Sequence, residues 1–335
     1  MTSTFLGLET ALRGLLADQR SLDTTGHNIA NASTPGYSRQ VAELQATPAL
    51  PVTPGGQLGT GVTVVQYQRI RDSFIDVQLR AQTMRQGFSQ AQQSGLSQVE
   101  SALSEPSDNG LSALMQKYWA AWQSVANAPS DLATRQALAQ ASSSLANGFN
   151  TLATQLQTVQ SQTSQNETLT LNQVNSIGAQ VASLNQSIQA AELAGAQPND
   201  LLDQRDNLID QLSGLGNTTV TQSAGAAGQL GEVDISFGGT SLVTANASAT
   251  LTLPLTSLTS GQMAGMEAVI NSSGGTGGYL DQLNTLASGL ATATNTQLAA
   301  GKDLHGNAGT PLFTVTSGNE AATIAVNPLV LPGPT

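Results

Sequence analysis

The chain has 335 residues, enough for two or three domains and a sizeable core. Only 10% of them are charged, against about 25% in an ordinary soluble protein, and 11 basic against 22 acidic residues leave a net charge of −11. With no cysteine and two histidines, His27 and His305, disulfides, thiolate metal sites, cysteine nucleophiles and multi-histidine centres are excluded. The acidic balance argues against a nucleic-acid partner, and no apolar run is long enough to span a bilayer.

Residues 1–30 read as one helix. Phe5, Leu8, Leu12, Leu15, Leu22 and Ile29 recur on a 3-4 pattern, with Gln19 and Gly26 at the other two seam positions. That is a left-handed coiled-coil stripe, too narrow to fold alone, so it calls for a partner helix. Glu9, Arg13 and Asp18 interrupt it, so it does not make a cleaved secretory signal. In Asn28-Ile-Ala-Asn-Ala-Ser-Thr-Pro-Gly-Tyr-Ser-Arg-Gln40, Pro35-Gly36 predicts a type II turn, because proline fixes one φ and glycine supplies a positive one.

Arg39 to Leu44 tends towards alternation. Pro48 to Gly56 is expected as an extended loop, and Gly59 to Gln68 as a strand. Helices follow at about Asp72–Leu103 and through Leu111–Val125, where an aromatic face carrying Trp119 and Trp122 is read as core. Ser130 is expected to cap the next helix. No proline occurs from Asp131 to Gln197, so that helix is very long, and a kink, if there is one, falls at Gln162 to Thr170 where the seam turns polar. Asn199 is expected to cap a helix that puts Asp203, Asp206 and Asp210 on one face. Such spacing suits a divalent-cation or acid/base cluster, but helical carboxylates near one arginine read first as a solvated, partly paired face. Leu212 to Gly216 should close that helix with glycine chemistry.

Residues 217–260 read as a small β region with a Gly238-Gly239 turn; a helical stub, a Gly274–Gly278 hinge, a helix through Leu280–Leu290 and a loop-like tail follow. The division expected is 1–40 (axial coiled coil and export segment), 41–85 (extended connector), 86–216 (long-helix bundle), 217–262 (outer β-rich domain) and 263–335 (helical return and loop). The fold class is mainly α with a smaller β region, a long-helix bundle or coiled-coil rod plus a β-rich domain. No phosphate loop, nucleophile elbow or paired-histidine helix is present, so no catalytic, cofactor or metal residue is assigned. The seven basic residues up to Arg85 face six acids, and nearly all the net charge follows them.

The Asn28–Gln40 segment behind a heptad helix resembles the bacterial flagellar axial proteins. Its Ser38-Arg39-Gln40 ending is similar to the hook-associated protein 1 family in particular. Further matches come in order: Gly59-Thr-Gly-Val62, Arg69-x-x-Asp72-x-Phe74, Tyr118-Trp-Ala-Ala-Trp122, Ala128-Pro-Ser-Asp131, Pro198-Asn-Asp-Leu-Leu-Asp-Gln-Arg-Asp206, Gly301-Lys-Asp-Leu-His-Gly-Asn307 and Pro311-Leu-Phe313. The resemblance implies a non-enzymatic, cofactor-free subunit of a homo-oligomeric ring at the hook–filament junction. Its partners would be the hook protein, the adjoining hook-associated protein below the filament, and the flagellar type III export apparatus with its chaperone. It also implies an extracellular location reached without a cleaved signal, and an inner coiled coil pairing the first and last helices. Family members continue past Pro311-Leu-Phe313 into further helices, so a C-terminally truncated chain is expected. Asn28, Asn31, Thr34, Pro35, Gly36, Tyr37 and Arg39 are the axial-motif residues, expected to position the inner segment or serve export. An adhesin-like binding module built on the β region, or another axial subunit of hook or rod, are the alternative readings.

Overall fold

A computed structural model of the chain describes residues 5–52, 56–223, 231–271, 275–302 and 306–330. In chain order the elements are α1 (Leu6–Ala30), β1 (Gln40–Ala46), β2 (Leu50–Val52), β3 (Gly56–Leu58), β4 (Val62–Arg69), α2 (Ser73–Leu103), α3 (Leu111–Asn127) and α4 (Leu132–Leu193). There follow α5 (Asn199–Leu215), β5 (Thr218–Gln222), β6 (Val233–Phe237), β7 (Thr240–Thr244), β8 (Ala247–Ser248), α6 (Gly261–Asn271), α7 (Thr276–Ala300), β9 (Phe313–Thr314), α8 (Glu320–Thr323) and β10 (Ala325–Val326). The protein is helix-dominated with a smaller sheet content, as the sequence predicts. It forms two compact units, Met1–Gly87 with Thr170–Gly261, and Phe88–Leu169 with Gln262–Thr335.

In the first unit, β1 and β4 pair antiparallel from Gln40↔Arg69 to Ala46↔Val62, with a bulge at Glu43/Leu44. The segment expected as an extended loop instead contains a second hairpin, β2 with β3; its tip at Pro54-Gly55 lies outside the described residues. Helix α1 lies on the ribbon through Thr10, Gly14, Ala17, Ser21 and Thr24, of which Ala17 is buried. The hydroxyls of Thr10, Ser21 and Thr24 donate back to the carbonyls of Leu6, Ala17 and Arg20, which lets small polar side chains sit on a helix face without stranded donors.

The rest of this unit is an antiparallel meander, β5-β6-β7-β8, with residues 170–193 of α4 and with α5. β6 alternates as the sequence predicts: Val233, Ile235 and Phe237 are buried while Asp234 and Ser236 are less so. Gly238 and Gly239 both have positive φ and form the two-residue turn into β7, the type I′ geometry that suits strand twist. Gly216 closes α5 in extended backbone rather than the left-handed cap expected; a Cβ there would lie 2.2 Å from the Phe237 ring, so glycine is required by close packing. Asn175 and Asn185 fasten α4 to the sheet region: Asn175 accepts from the Leu251 N–H and donates to the Leu251 carbonyl, and Asn185 donates to the carbonyls of Val233 and Ala245.

The second unit has one core. Leu145, Phe149, Leu152, Leu156 and Val159, the predicted seam of α4, pack with Tyr118, Leu283, Ala287, Leu290, Phe313 and Ile324. The aromatic anchor is Tyr118, fully buried with its hydroxyl 2.9 Å from Thr294 Oγ1. Trp119, expected in the core, is 53% exposed, and Trp122 is partly buried. α4 runs unbroken through the polar stretch, where Thr163 is buried and its hydroxyl donates to the Val159 carbonyl. Its cap is Asp131, whose Oδ1 accepts from the Ala133 N–H, not Ser130. Asparagine again fixes irregular backbone: Asn295 bonds Leu312 and Phe313, Asn150 bonds Ala321 and Ile324, and Asn284 accepts from the Ala321 N–H. In a chain without disulfides, these amides hold the tail in place. The expected hinge glycine Gly274, His305 and residues 331–335 lie outside the described residues.

Candidate functional site

α1 presents two opposite faces. At about 100° per residue, Thr10, Gly14, Ala17, Ser21 and Thr24 fall on the ribbon side, and Leu8, Leu12, Leu15, Leu22 and Ile29 fall on the other. Leu8 is 68% exposed, Ile29 is 72%, and Phe5, Leu12, Leu15 and Leu22 are also exposed. The expected partner helix for this seam is not among the described residues. α1 is held on its small-residue side by a β ribbon, and the larger apolar face is left to solvent. The exposed large apolar side chains of the chain concentrate in the same region, continuing through Val41, Leu44, Val65, Ile70, Phe74, Ile75, Val77 and Leu79.

The axial motif makes the corner between α1 and β1. The Tyr37 N–H donates to the Thr34 carbonyl at 3.2 Å and Gly36 has φ +81°, which is the type II turn expected over Thr34-Pro35-Gly36-Tyr37. Asn31 closes α1: its N–H and its side-chain Nδ2 both donate to the His27 carbonyl, while its Oδ1 accepts from the Thr34 hydroxyl. Asn28 is the centre of the corner. Its Oδ1 accepts from the Tyr37 hydroxyl at 2.8 Å and the Gln40 N–H at 2.9 Å, and its Nδ2 donates to the Gln40 carbonyl at 2.8 Å. Pro35 and Gly36 are exposed, yet a Cβ at Gly36 would come within 2.8 Å of Asn207 Cβ on α5. The Arg39 side chain is exposed, and its carbonyl accepts from the Ile70 N–H. Burial, then the negative charges of Asp200 and Asp203, push the Tyr37 phenol above its ordinary value.

Behind this corner lies a polar docking line along α5. The Ser38 N–H donates to Asp203, Gln40 bonds Asp200 and Asn199, and Gln197 and Asn199 take both backbone groups of Tyr67. Pro198, not Asn199, stands at the N-cap position of α5, and the Asn199 side chain reaches across to β4 instead. Arg69 Nη1 lies 2.7 Å from Asp203 and 3.0 Å from Asp206. Arg71 holds Asp76 at 2.6 Å and Asp210 at 3.4 Å, and Arg80 Nε lies 2.7 Å from Asp210. The aspartate face, read as solvated and partly paired, is indeed ion-paired but more shielded than expected, with the Asp203 side chain 6% exposed. Burial works against the charge on Arg71, but the hydrogen bond to Asp76 and the charges of Asp206, Asp76 and Asp210 outweigh it and raise its pKa. Arg205 faces the other way: it is buried, donates to Asn185 and to the Gly231 carbonyl, and burial lowers its pKa.

Sequence reasoning missed this line, although a signal was present. Every basic residue up to position 85 is arginine, the residue suited to forked carboxylate pairing, and an acid stripe of three aspartates has the single Arg205 as cation on its own helix. Among the described residues no group of three or more His, Cys, Asp or Glu is placed to hold a metal ion, and no helix is long and apolar enough to cross a membrane.

Residues 96–257 match the model of the flagellar hook-associated protein FlgK helical domain, and residues 8–37 match that of the flagella basal body rod protein. Flagellar hook-associated protein 1 of Bacillus subtilis is 38% identical over 240 residues, covering 70% of this chain and 47% of the relative. The Escherichia coli protein of the same name is 33% identical over 336 residues, covering 92% of this chain and 60% of the relative. The chain thus spans about half to three fifths of the length of the curated relatives it matches. The solved structure of the flagellar hook junction protein FlgK from Burkholderia pseudomallei is similar with a TM-score of 0.61 at 28% identity, over 71% of this chain and 46% of that one.

Proposed function

The chain belongs to the flagellar hook-associated protein 1 family, and on that premise we propose that it is a structural, non-enzymatic subunit of the hook–filament junction, self-assembling into a ring. The observation that carries the proposal is the exposed seam of α1. Burying a leucine-sized side chain is worth roughly 1.5–3 kcal/mol, so the six seam residues represent on the order of 10 kcal/mol of association energy that α1 does not use on the ribbon. An amphipathic helix whose larger apolar face is in water has its partner outside the described residues, in a helical seam of the assembled structure. The axial motif serves this by setting the angle at which α1 leaves β1, through Asn28 and the Pro35-Gly36 turn.

The partners in this reading are further copies of the subunit, the hook protein on one side and the adjoining hook-associated protein on the other. Delivery is by the flagellar type III apparatus with its chaperone, without a cleaved signal. A cysteine-free chain suits passage in an unfolded state, since no disulfide locks it, and a surface poor in charge lets identical subunits pack without strong repulsion.

The test replaces Leu8, Leu12, Leu15 and Leu22 together by serine in the full-length gene and asks for incorporation into flagella. The variant is expected to be made and folded, with unchanged hydrogen-exchange protection of residues 38–46 and 62–69, but absent from purified hook–basal bodies. Normal incorporation would remove the seam from the account.

A further inference from the structure

Through Gly87, the one buried apolar side chain among the described residues is Ala17. Val174, Ile177, Val181, Ile188, Ile209, Leu212, Ile235, Phe237 and Leu242, by contrast, are all buried in residues 170–261. What joins residues 36–83 to α5 is therefore hydrogen bonds and charge: Ser38 and Gln40 on Asp203 and Asp200, Tyr67 on Gln197 and Asn199, and the three arginines on Asp203, Asp206 and Asp210. Asp206 is the keystone, within 3.0, 3.7 and 3.9 Å of Arg69, Arg71 and Arg80.

We propose that residues 36–83 form an arm docked on α5 by an electrostatic latch, which releases as a unit while α4, α5 and β5–β8 stay folded. Apolar burial is insensitive to moderate salt, whereas the more open pairs of the latch, such as Arg80 with the 29% exposed Asp210, are screened in part by concentrated salt. The two parts of the same compact unit should therefore respond differently. Removing one partner from a shielded pair also leaves the other charge uncompensated, so the latch fails cooperatively around Asp206. The proposal concerns the isolated chain and stands whether or not the ring reading holds.

Hydrogen exchange read by mass spectrometry on the intact chain tests it. In about 1 M sodium chloride, where the Debye length is about 3 Å, amides of 38–46 and 62–80 should exchange roughly tenfold faster than at low salt. Those of 174–188 and 233–243 should be unchanged. Asp206→Asn should open the same arm peptides at low salt and remove most of their salt response. Should that variant fold poorly, Arg69→Gln and Arg80→Gln, each of which takes one cation from Asp206 and keeps a hydrogen-bonding side chain, should open the same peptides at low salt. Parallel acceleration of arm and core, or an arm indifferent to salt and to Asp206→Asn, would overturn the proposal.

Discussion

Gly36→Ala asks whether the corner after α1 is set by backbone geometry. Gly36 sits at φ +81°, where an L-residue other than glycine costs roughly 1–2 kcal/mol. The added Cβ would also lie 2.8 Å from Asn207 Cβ, and relieving such overpacking costs about 1 kcal/mol or more. Together these give about 3 kcal/mol, roughly a hundredfold in local opening. Both tryptophans belong to the other compact unit, so fluorescence melts should miss the effect. Hydrogen exchange of peptides covering residues 28–46 should show it. Asn207→Ala should give no rescue, because the nearest atom is the Cβ that alanine keeps. Protection of 28–46 unchanged in Gly36→Ala would refute both the turn and the close approach.

Tyr118→Phe removes the hydroxyl that meets Thr294 in the core and should cost about 1 kcal/mol. It is read by tryptophan fluorescence in urea, since Trp119 and Trp122 pack edge-on to that ring at 5.0 and 6.3 Å; an unchanged midpoint would contradict the bond. Tyr37 should ionise later than an ordinary tyrosine, because burial and the charges of Asp200 and Asp203 favour the neutral phenol. Its contribution to stability is then complete below the ordinary tyrosine pKa and is lost as pH rises through the higher folded value. The late component of the 295 nm absorbance titration should lose one tyrosine in Tyr37→Phe, the buried Tyr118 supplying what stays, and an undiminished late component would contradict the assignment.

Much of the fold was legible because its causes are periodic. The α4 seam from Leu145 to Val159, the alternation of β6 and the Pro35-Gly36 turn each follow from local rules, and each stands where the sequence puts it. The misses share another cause. Asn199 looked like a cap, but its side chain is used across 132 residues of sequence by the Tyr67 carbonyl. Gly216 looked like a left-handed terminator, but it is glycine because Phe237 packs there. Asp203, Asp206 and Asp210 read as solvated and only partly paired because most of their counter-ions are more than a hundred residues away in sequence. Trp119 was assigned to the core on side-chain size, which does not say which neighbour on the helix, Tyr118 or Trp119, turns inward. For the candidate site, the seam residues were legible as a set. What holds α1 was not, because a stripe of Thr, Gly, Ala and Ser carries no apolar signal.

The most direct measurement is electron microscopy of cells lacking the parent gene, with an assay of the culture medium for filament protein. A junction subunit predicts hooks without filaments and filament subunits lost to the medium, both reversed by the intact gene and not by the four-leucine seam variant. Filaments of normal length on the deletion strain would contradict the account.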